Sequence, residues 1–255
     1  MADAVGLLDF LQSTGPEKAA VLADLDGCLI AGGALLPQVP ELFARCGERL
    51  WIVSNNSSDT AQTLSAQLSR LGVAVPPSRI VLAGEETVRR AARDLPGQRV
   101  ALYAAEPLCA LATQLGLTLD RVAPEFAILA RDPAFSYGCL SRLTRQVAQG
   151  LPLVATNADT SHPDGAGWPV PETGALAAAL LAAIPGLVIP TMGKPAPDLL
   201  RLALTRAGVA PEAAIFIGDT PETDGIAATA VGMDFVLLRR PGLPCLARTP
   251  EVLSC

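Results

Sequence analysis

The chain has 255 residues, half of them apolar, a formal net charge of −6, and no apolar run near the roughly 18 residues that would span a bilayer. The acidic balance, with basic residues only in short runs such as Arg89-Arg90 and Arg239-Arg240, excludes a surface built for a nucleic-acid backbone. A single histidine, His162, excludes a histidine-rich zinc site, and a Ser-His-Asp triad would have to be built on that residue.

Met1 to Phe10 carries Asp3 and Asp9 and no basic stretch, so no secretory signal is predicted and a soluble cytoplasmic protein is expected. Ala19 to Ala23 is a short apolar run that stops at Asp24, with Gly27 close behind, the pattern of a buried parallel strand entering a tight turn. Glu41 to Glu48 reads as a helix and Leu50 to Val53 as a second buried strand, ending at Ser54-Asn55-Asn56-Ser57. Asp59 is placed to cap a helix whose apolar stripe is Ala61, Leu64, Leu68 and Leu71, stopped by Gly72. From about Val73 to Pro185 strands are predicted at Arg79–Leu82, Arg99–Tyr103, Phe126–Leu129 and Leu153–Thr156, with helices between them and a further one over Ala175–Ala183. Leu187–Pro190 reads as a strand before Gly193-Lys194-Pro195, and Pro197 starts a leucine-rich helix that ends at Gly208. Ala214–Ile217 and Phe235–Leu238 are the last two strands predicted.

Strands alternating with helices give a doubly wound parallel sheet, in which chemistry gathers at the carboxyl ends of the strands. Asp24, Ser54, Lys194 and Asp219 each follow an apolar strand, and that coincidence carries the functional reading. Asp24-Leu25-Asp26-Gly27 sets two carboxylates in one turn. Asp24 can attack phosphorus when a cation offsets the mutual repulsion, and Asp26 can protonate the leaving alcohol and later deprotonate water. Ser54 and the Asn55 backbone can hold phosphoryl oxygens while Lys194 neutralises them. Asp219 with Asp24 suits Mg²⁺, a hard cation that prefers oxygen ligands.

Only two lysines, Lys18 and Lys194, stand against 17 arginines. A retained lysine in such a chain suggests a task for a compact ammonium, whereas Lys18 reads as solvated. The six cysteines (Cys28, Cys46, Cys109, Cys139, Cys245, Cys255) are scattered, without a C-x-x-C pair, and read as buried thiols outside disulfides.

Asp24-Leu25-Asp26-Gly27-Cys28-Leu29, Ser54-Asn55-Asn56-Ser57, Lys194 in Gly193-Lys194-Pro195, and Gly218-Asp219-Thr220-Pro221-Glu222-Thr223-Asp224 together resemble the four motifs of the haloacid dehalogenase (HAD) superfamily. The second aspartate of the first motif resembles that of its phosphatases. The segment between the second and third motifs resembles the α/β cap of subclass IIA, the NagD-like group, on Thr156-Asn157-Ala158-Asp159, Pro169 or Pro171, and Gly174-Ala175-Leu176.

The resemblance implies a Rossmann-like core at residues 1–77 and 186–255 and an inserted C2-type α/β cap at 78–185. It implies a phosphatase that forms an aspartyl phosphate on Asp24 and uses catalytic Mg²⁺. Asp24, Asp219 and the backbone carbonyl of Asp26 would bind the metal, with Asp224 as ligand or support. Asn55, Asn56, Asn157 and Asp159 would lie on the substrate side. The substrate class would be small phosphorylated metabolites: nucleotide monophosphates, sugar phosphates, phosphoglycolate or pyridoxal phosphate. A homodimer, with no membrane and no nucleic-acid polymer as partner, is also expected. Phosphomutases and phosphotransferases use the same core, and a non-catalytic phosphate-binding module is the other class of reading. The stretch Ser161 to Pro171, with His162, Asp164 and Trp168, is longer than usual for the subclass. His162 reads as a surface-loop residue, and Trp168 as either a stacking or a packing side chain.

Overall fold

The computed structural model describes residues 5–164 and 168–238; Arg239-Arg240, Cys245 and Cys255 lie outside them. Two parallel sheets share one chain. The first has five strands: β1 (Ala20–Ala23), β4 (Leu50–Ser54), β5 (Ile80–Leu82), β12 (Ala214–Gly218) and β13 (Asp234–Leu237), in the order β13-β12-β1-β4-β5. The second has four: β6 (Arg99–Tyr103), β7 (Thr118–Leu119), β8 (Phe126–Leu129) and β9 (Leu153–Ala155), in the order β7-β6-β8-β9. Two short hairpins complete the strands, β2 (Ile30–Ala31) with β3 (Ala34–Leu35), and β10 (Ser161–Pro163) with β11 (Pro169–Pro171).

Helices cover both faces of the first sheet. α1 (Leu7–Gln12), α2 (Val39–Cys46) and α3 (Ala61–Arg70) pack with Val21, Ala23, Ile52 and Ile217 on one side. α8 (Asp198–Ala207) and α9 (Ile226–Val231) pack with Leu22, Val53 and Phe216 on the other. Alternate residues of β1 thus serve opposite cores, which is why the strand reads as an unbroken apolar run. The second sheet is built alike, with α5 (Glu106–Gln114) against one face and α6 (Tyr137–Ala148) and α7 (Thr173–Ala183) against the other. No described helix is long and apolar enough to cross a membrane.

The structure differs from the sequence reading in several places. Ile80–Leu82, placed by sequence in the inserted segment, is the edge strand of the first sheet, paired with Ile52–Ser54. A boundary drawn at residue 77 therefore cuts a strand from its sheet. Leu187–Pro190 forms no strand: Pro190 has no N–H to give a ladder, and only its carbonyl accepts from Ala155 N. Thr60, not Asp59, caps α3, its hydroxyl accepting from Thr63 N; Asp59 instead accepts from Asn56, Thr63 and Gln67 side chains. Lys18 is paired with Asp234 and with the carbonyl of Glu212. Cys28 and Cys46 are buried thiols, whereas Cys109 and Cys139 are only partly covered; burial pushes Cys46 up to about 11.

Helix α4 (Ala83–Asp94) joins the sheets. Its first turn is fixed to the first sheet's layer: Gly84 N donates to Asn56 O at 3.1 Å, and a Cβ on Gly84 would meet Ser57 Cα at 2.8 Å. Buried Glu85 accepts from Ala61 N at the start of α3. Buried Glu86 takes a two-pronged pair from Arg206 of α8, at 2.8 and 2.9 Å. Farther on, Val88 and Ala91 belong to the core beneath the second sheet. Arg206→Met should cost about 2 kcal/mol, below the usual figure for a broken buried pair because the guanidinium is a third exposed. Urea unfolding of the variant beside the parent measures that loss.

Candidate active site

The five-stranded sheet changes winding direction between β1 and β12. The crevice beyond their carboxyl ends is where a doubly wound sheet offers a site. Asp24 leaves β1 there and Asp219 leaves β12. Gly27, at φ 75°, turns the chain so close to Asp219 that a Cβ would overlap its carboxylate. Lys194 arrives from the segment before α8, 2% exposed, and its Nζ lies 2.7 Å from Oδ1 of Asp24 and 2.7 Å from Oδ1 of Asp224. Phe216 of β12 lies under the ammonium, 5.2 Å from ring centre to Nζ. Asp224 is wholly buried on the wide helical turn Pro221–Gly225, and its other oxygen accepts from Thr220 N at 3.2 Å.

Carboxylate oxygens of Asp24, Asp219 and Asp224 all lie within 4.8 Å of one another. Burial, reinforced by Asp224 and Asp219, pushes Asp24 well above the usual carboxylate range despite Lys194. Burial and then Asp224 push Asp219 up to about 6. Burial opposes the charge on Lys194, but Asp224 and Asp24 outweigh it and hold the ammonium ionised. Three carboxyl groups gathered around one ammonium are a set of hard oxygen donors whose negative charge the lysine alone does not offset, and it fits a divalent cation.

Asp26 is not one of that trio and stands on the turn before β2. Its carboxyl is raised by burial, with His162 lowering it and Glu172 and Asp159 raising it. Ser54 closes β4, 2% exposed, and its Oγ accepts from Asn56 N.

The side chains of Asn55, Asn56 and Asn157, which the resemblance puts on the substrate side, make hydrogen bonds within the protein. Asn55 accepts from Lys194 N at 2.7 Å and donates to Lys194 O at 2.9 Å, so its amide clamps the lysine backbone. Asn157 donates to Asn55 O at 2.7 Å, and Asn56 turns its own loop by accepting from Ser58 N and Asp59 N. Asp159 accepts from Asn55 at 3.2 Å and is raised by burial. These bonds tie the loop after β4 to the Lys194 segment and to the Thr156–Asp159 segment.

His162 is no surface-loop residue: it lies half-buried on β10, its Nδ1 2.7 Å from Oε1 of Glu172. Trp168 is 72% exposed, which removes the packing role. Sequence reading missed Glu172 and Arg131, which meet beside His162. Arg131 follows the apolar strand β8 as Asp24 follows β1, so the signal that found the aspartate was present for the arginine.

Comparison with known proteins agrees with this geometry. Residues 21–118 match the family described as haloacid dehalogenase-like hydrolase, and residues 191–241 match a second, HAD-hydrolase-like family. Chronophin of Mus musculus is 32% identical over 240 residues, covering 87% of this chain and 80% of its own. The solved structure of NagD from E. coli K-12 superposes with a TM-score of 0.77 at 26% identity, over 86% of this chain and 87% of that one. A glycerol phosphate phosphatase from Mycobacterium tuberculosis, solved in complex with magnesium, gives 0.78 at 28% identity, over 87% and 67%. The chain belongs to the haloacid dehalogenase-like hydrolases, as an HAD-type phosphatase of the NagD-like subclass IIA.

Proposed function

We propose that this phosphatase hydrolyses small organic phosphomonoesters through an aspartyl phosphate on Asp24, with Mg²⁺ as its metal. The observation that carries the reading is the convergence of Asp24, Asp219 and Asp224 around Lys194. Asp24, Asp219 and Asp224 would hold the metal. When bound, it supplies positive charge to the phosphoryl oxygens and to the attacking carboxylate.

Lys194 orients Asp24 and adds a fixed positive charge beside the transferring group. In the first step a carboxylate oxygen of Asp24 bonds to phosphorus, the ester P–O bond breaks, and the leaving oxygen takes the proton of Asp26. The raised carboxyl of Asp26 suits it to carry that proton. In the second step water gives a proton to Asp26, its oxygen bonds to phosphorus, and the bond to Asp24 breaks, releasing inorganic phosphate. Ser54 and the loop braced by Asn55, Asn56 and Asn157 keep the phosphoryl pocket in place. The four-stranded unit, which lays its Thr156–Asp159 segment against Asn55, acts as the cap.

The test is phosphate release from glycerol, sugar, nucleotide, glycolate and pyridoxal monophosphates, with Mg²⁺ and after chelation. Turnover is expected with Mg²⁺ and should fall at least 100-fold in chelator. Full activity in chelator would remove the metal from the reading. Release from none of the esters in Mg²⁺ would remove the substrate class.

A further inference from the structure

The segment that delivers Lys194 to the site is laid along the end of β9, a strand of the second sheet. Ala155 N donates to Pro190 O at 2.9 Å, Gly193 N donates to Thr156 O at 2.8 Å, and Ala155 and Thr191 form a parallel bridge between those bonds. The contact is close. A Cβ on Gly193 would meet Asn55 Oδ1 at 2.7 Å, Asn157 Cβ at 2.8 Å and Thr156 O at 2.9 Å, so no side chain fits where the three segments meet.

Asn157 stands in this seam, 1% exposed. Its Oδ1 accepts from Asp159 N at 3.0 Å, which fixes the amide within its own loop, and its Nδ2 donates to Asn55 O at 2.7 Å. Asn55 carries the restraint onward. Its Oδ1 accepts from Lys194 N at 2.7 Å, and its Nδ2 donates to Lys194 O at 2.9 Å and to Asp159 Oδ1 at 3.2 Å. Asn157, buried and bonded at both ends of its amide, therefore bears on the chemistry through Asn55.

The ion pairs of Lys194 do not by themselves keep it in place through the reaction. Its ammonium lies 2.7 Å from Asp24 and 2.7 Å from Asp224. Once Asp24 bonds to phosphorus its carboxylate charge is lost from the pair, whereas Asp224 keeps its own. The lysine stem is a flexible four-carbon chain, so an ammonium tethered only at its head would follow Asp224, away from the transferring group. A backbone gripped at both N and O fixes the root of that stem, and the ammonium then stays between the two carboxyl groups in both steps.

We propose that Asn157 is a positioning residue for Lys194: through Asn55 it fixes where the ammonium stands against the phosphoryl group. The four-stranded unit thus completes the seat of the reaction and does more than cover it. This rests on the reading of Asp24 and Lys194 given above.

The experiment measures kcat and KM for p-nitrophenyl phosphate in Mg²⁺, in the parent, Asn157→Ala, Asn157→Ser, Lys194→Ala and the two double variants that combine Lys194→Ala with a change at Asn157. Slow variants are followed in single turnover with enzyme in excess, and melting temperatures in Mg²⁺ are taken alongside. Asn157→Ser leaves a hydroxyl for Asp159 N but falls short of Asn55, so it removes the bond with the smaller disturbance. In both single Asn157 variants kcat should fall at least tenfold while KM stays within about threefold, because a misplaced ammonium weakens the transition state more than binding. In the Lys194→Ala background the same changes should lower kcat by less than about twofold, since no ammonium is left to place.

The same factor lost with and without Lys194, a loss carried by KM, or no loss at all would overturn the proposal. So would a failure of both Asn157 variants to fold, which would assign the residue to stability alone. A parent that releases no p-nitrophenol, or a Lys194→Ala enzyme as active as the parent, would instead overturn the phosphatase chemistry on which it stands.

Discussion

Asp24→Asn is expected to lower phosphate release by on the order of 10³-fold or more, with little change in the affinity for inorganic phosphate. The amide matches the carboxylate in shape but cannot form the acyl phosphate. Folding should not suffer. The metal-free site holds more negative than positive charge, so removing one carboxylate relieves repulsion among Asp24, Asp219 and Asp224. The variant should therefore melt no lower than the parent in chelator, which separates a lost nucleophile from a lost fold. Acid quenching the parent during turnover should trap phosphate on the peptide that contains Asp24, in a hydroxylamine-sensitive bond. A variant as active as the parent would strike out the proposed nucleophile.

Lys194→Met has the largest expected effect on stability. The ammonium is 2% exposed and is the ion-pair partner of both Asp24 and Asp224. Methionine fills the volume but leaves three carboxylates crowded together, one of them wholly buried. Loss of one partner from such a group costs about 3–5 kcal/mol. For a chain of this length that lowers the melting temperature by on the order of 10 °C. A divalent ion should then recover more degrees in the variant than in the parent, because it answers a larger uncompensated charge. Differential scanning fluorimetry with and without Mg²⁺ reads both effects. A metal-free variant that melts with the parent would show that Lys194 does not hold the carboxylates together.

The parts of the site legible in the sequence were those set by local pattern. Apolar runs ending in a single polar residue located Asp24, Ser54 and Asp219, because a strand buried on both faces has no other place for charge. The same rule failed at Leu187–Pro190, where an apolar run forms no strand, only Pro190 O reaching Ala155 N of β9, and Val188 is 81% exposed. Periodicity cannot say which sheet a three-residue strand joins, so Ile80–Leu82 was placed with its neighbours in sequence instead of with β4. Asp59 and Thr60 are both good caps, and only the backbone direction at Thr60 decides between them.

Long-range pairing explains the remaining gaps. Asn55 and Asn157 stand 102 positions apart, and nothing local to either shows that Asn157 bonds to Asn55 while Asn55 bonds to the Lys194 backbone. Glu172, Arg131 and His162 are an ordinary glutamate, arginine and histidine until the fold brings them together.

Helix α4 sets a rule for anyone who would exchange the two halves of this molecule. Its opening turn is bolted to one sheet by Glu85, Glu86 and Gly84, while Val88 and Ala91 fill the floor of the other. A splice at the strand end, after Leu82, would hand the guest module a foreign first turn and strip the host of its glutamate anchors. A chimaera joined beyond Asp94 would keep those anchors but must bring a guest whose underside accepts valine and alanine at those two positions. The practical seam between the layers is thus a helix held in common, and swapping one layer means redesigning half of that helix.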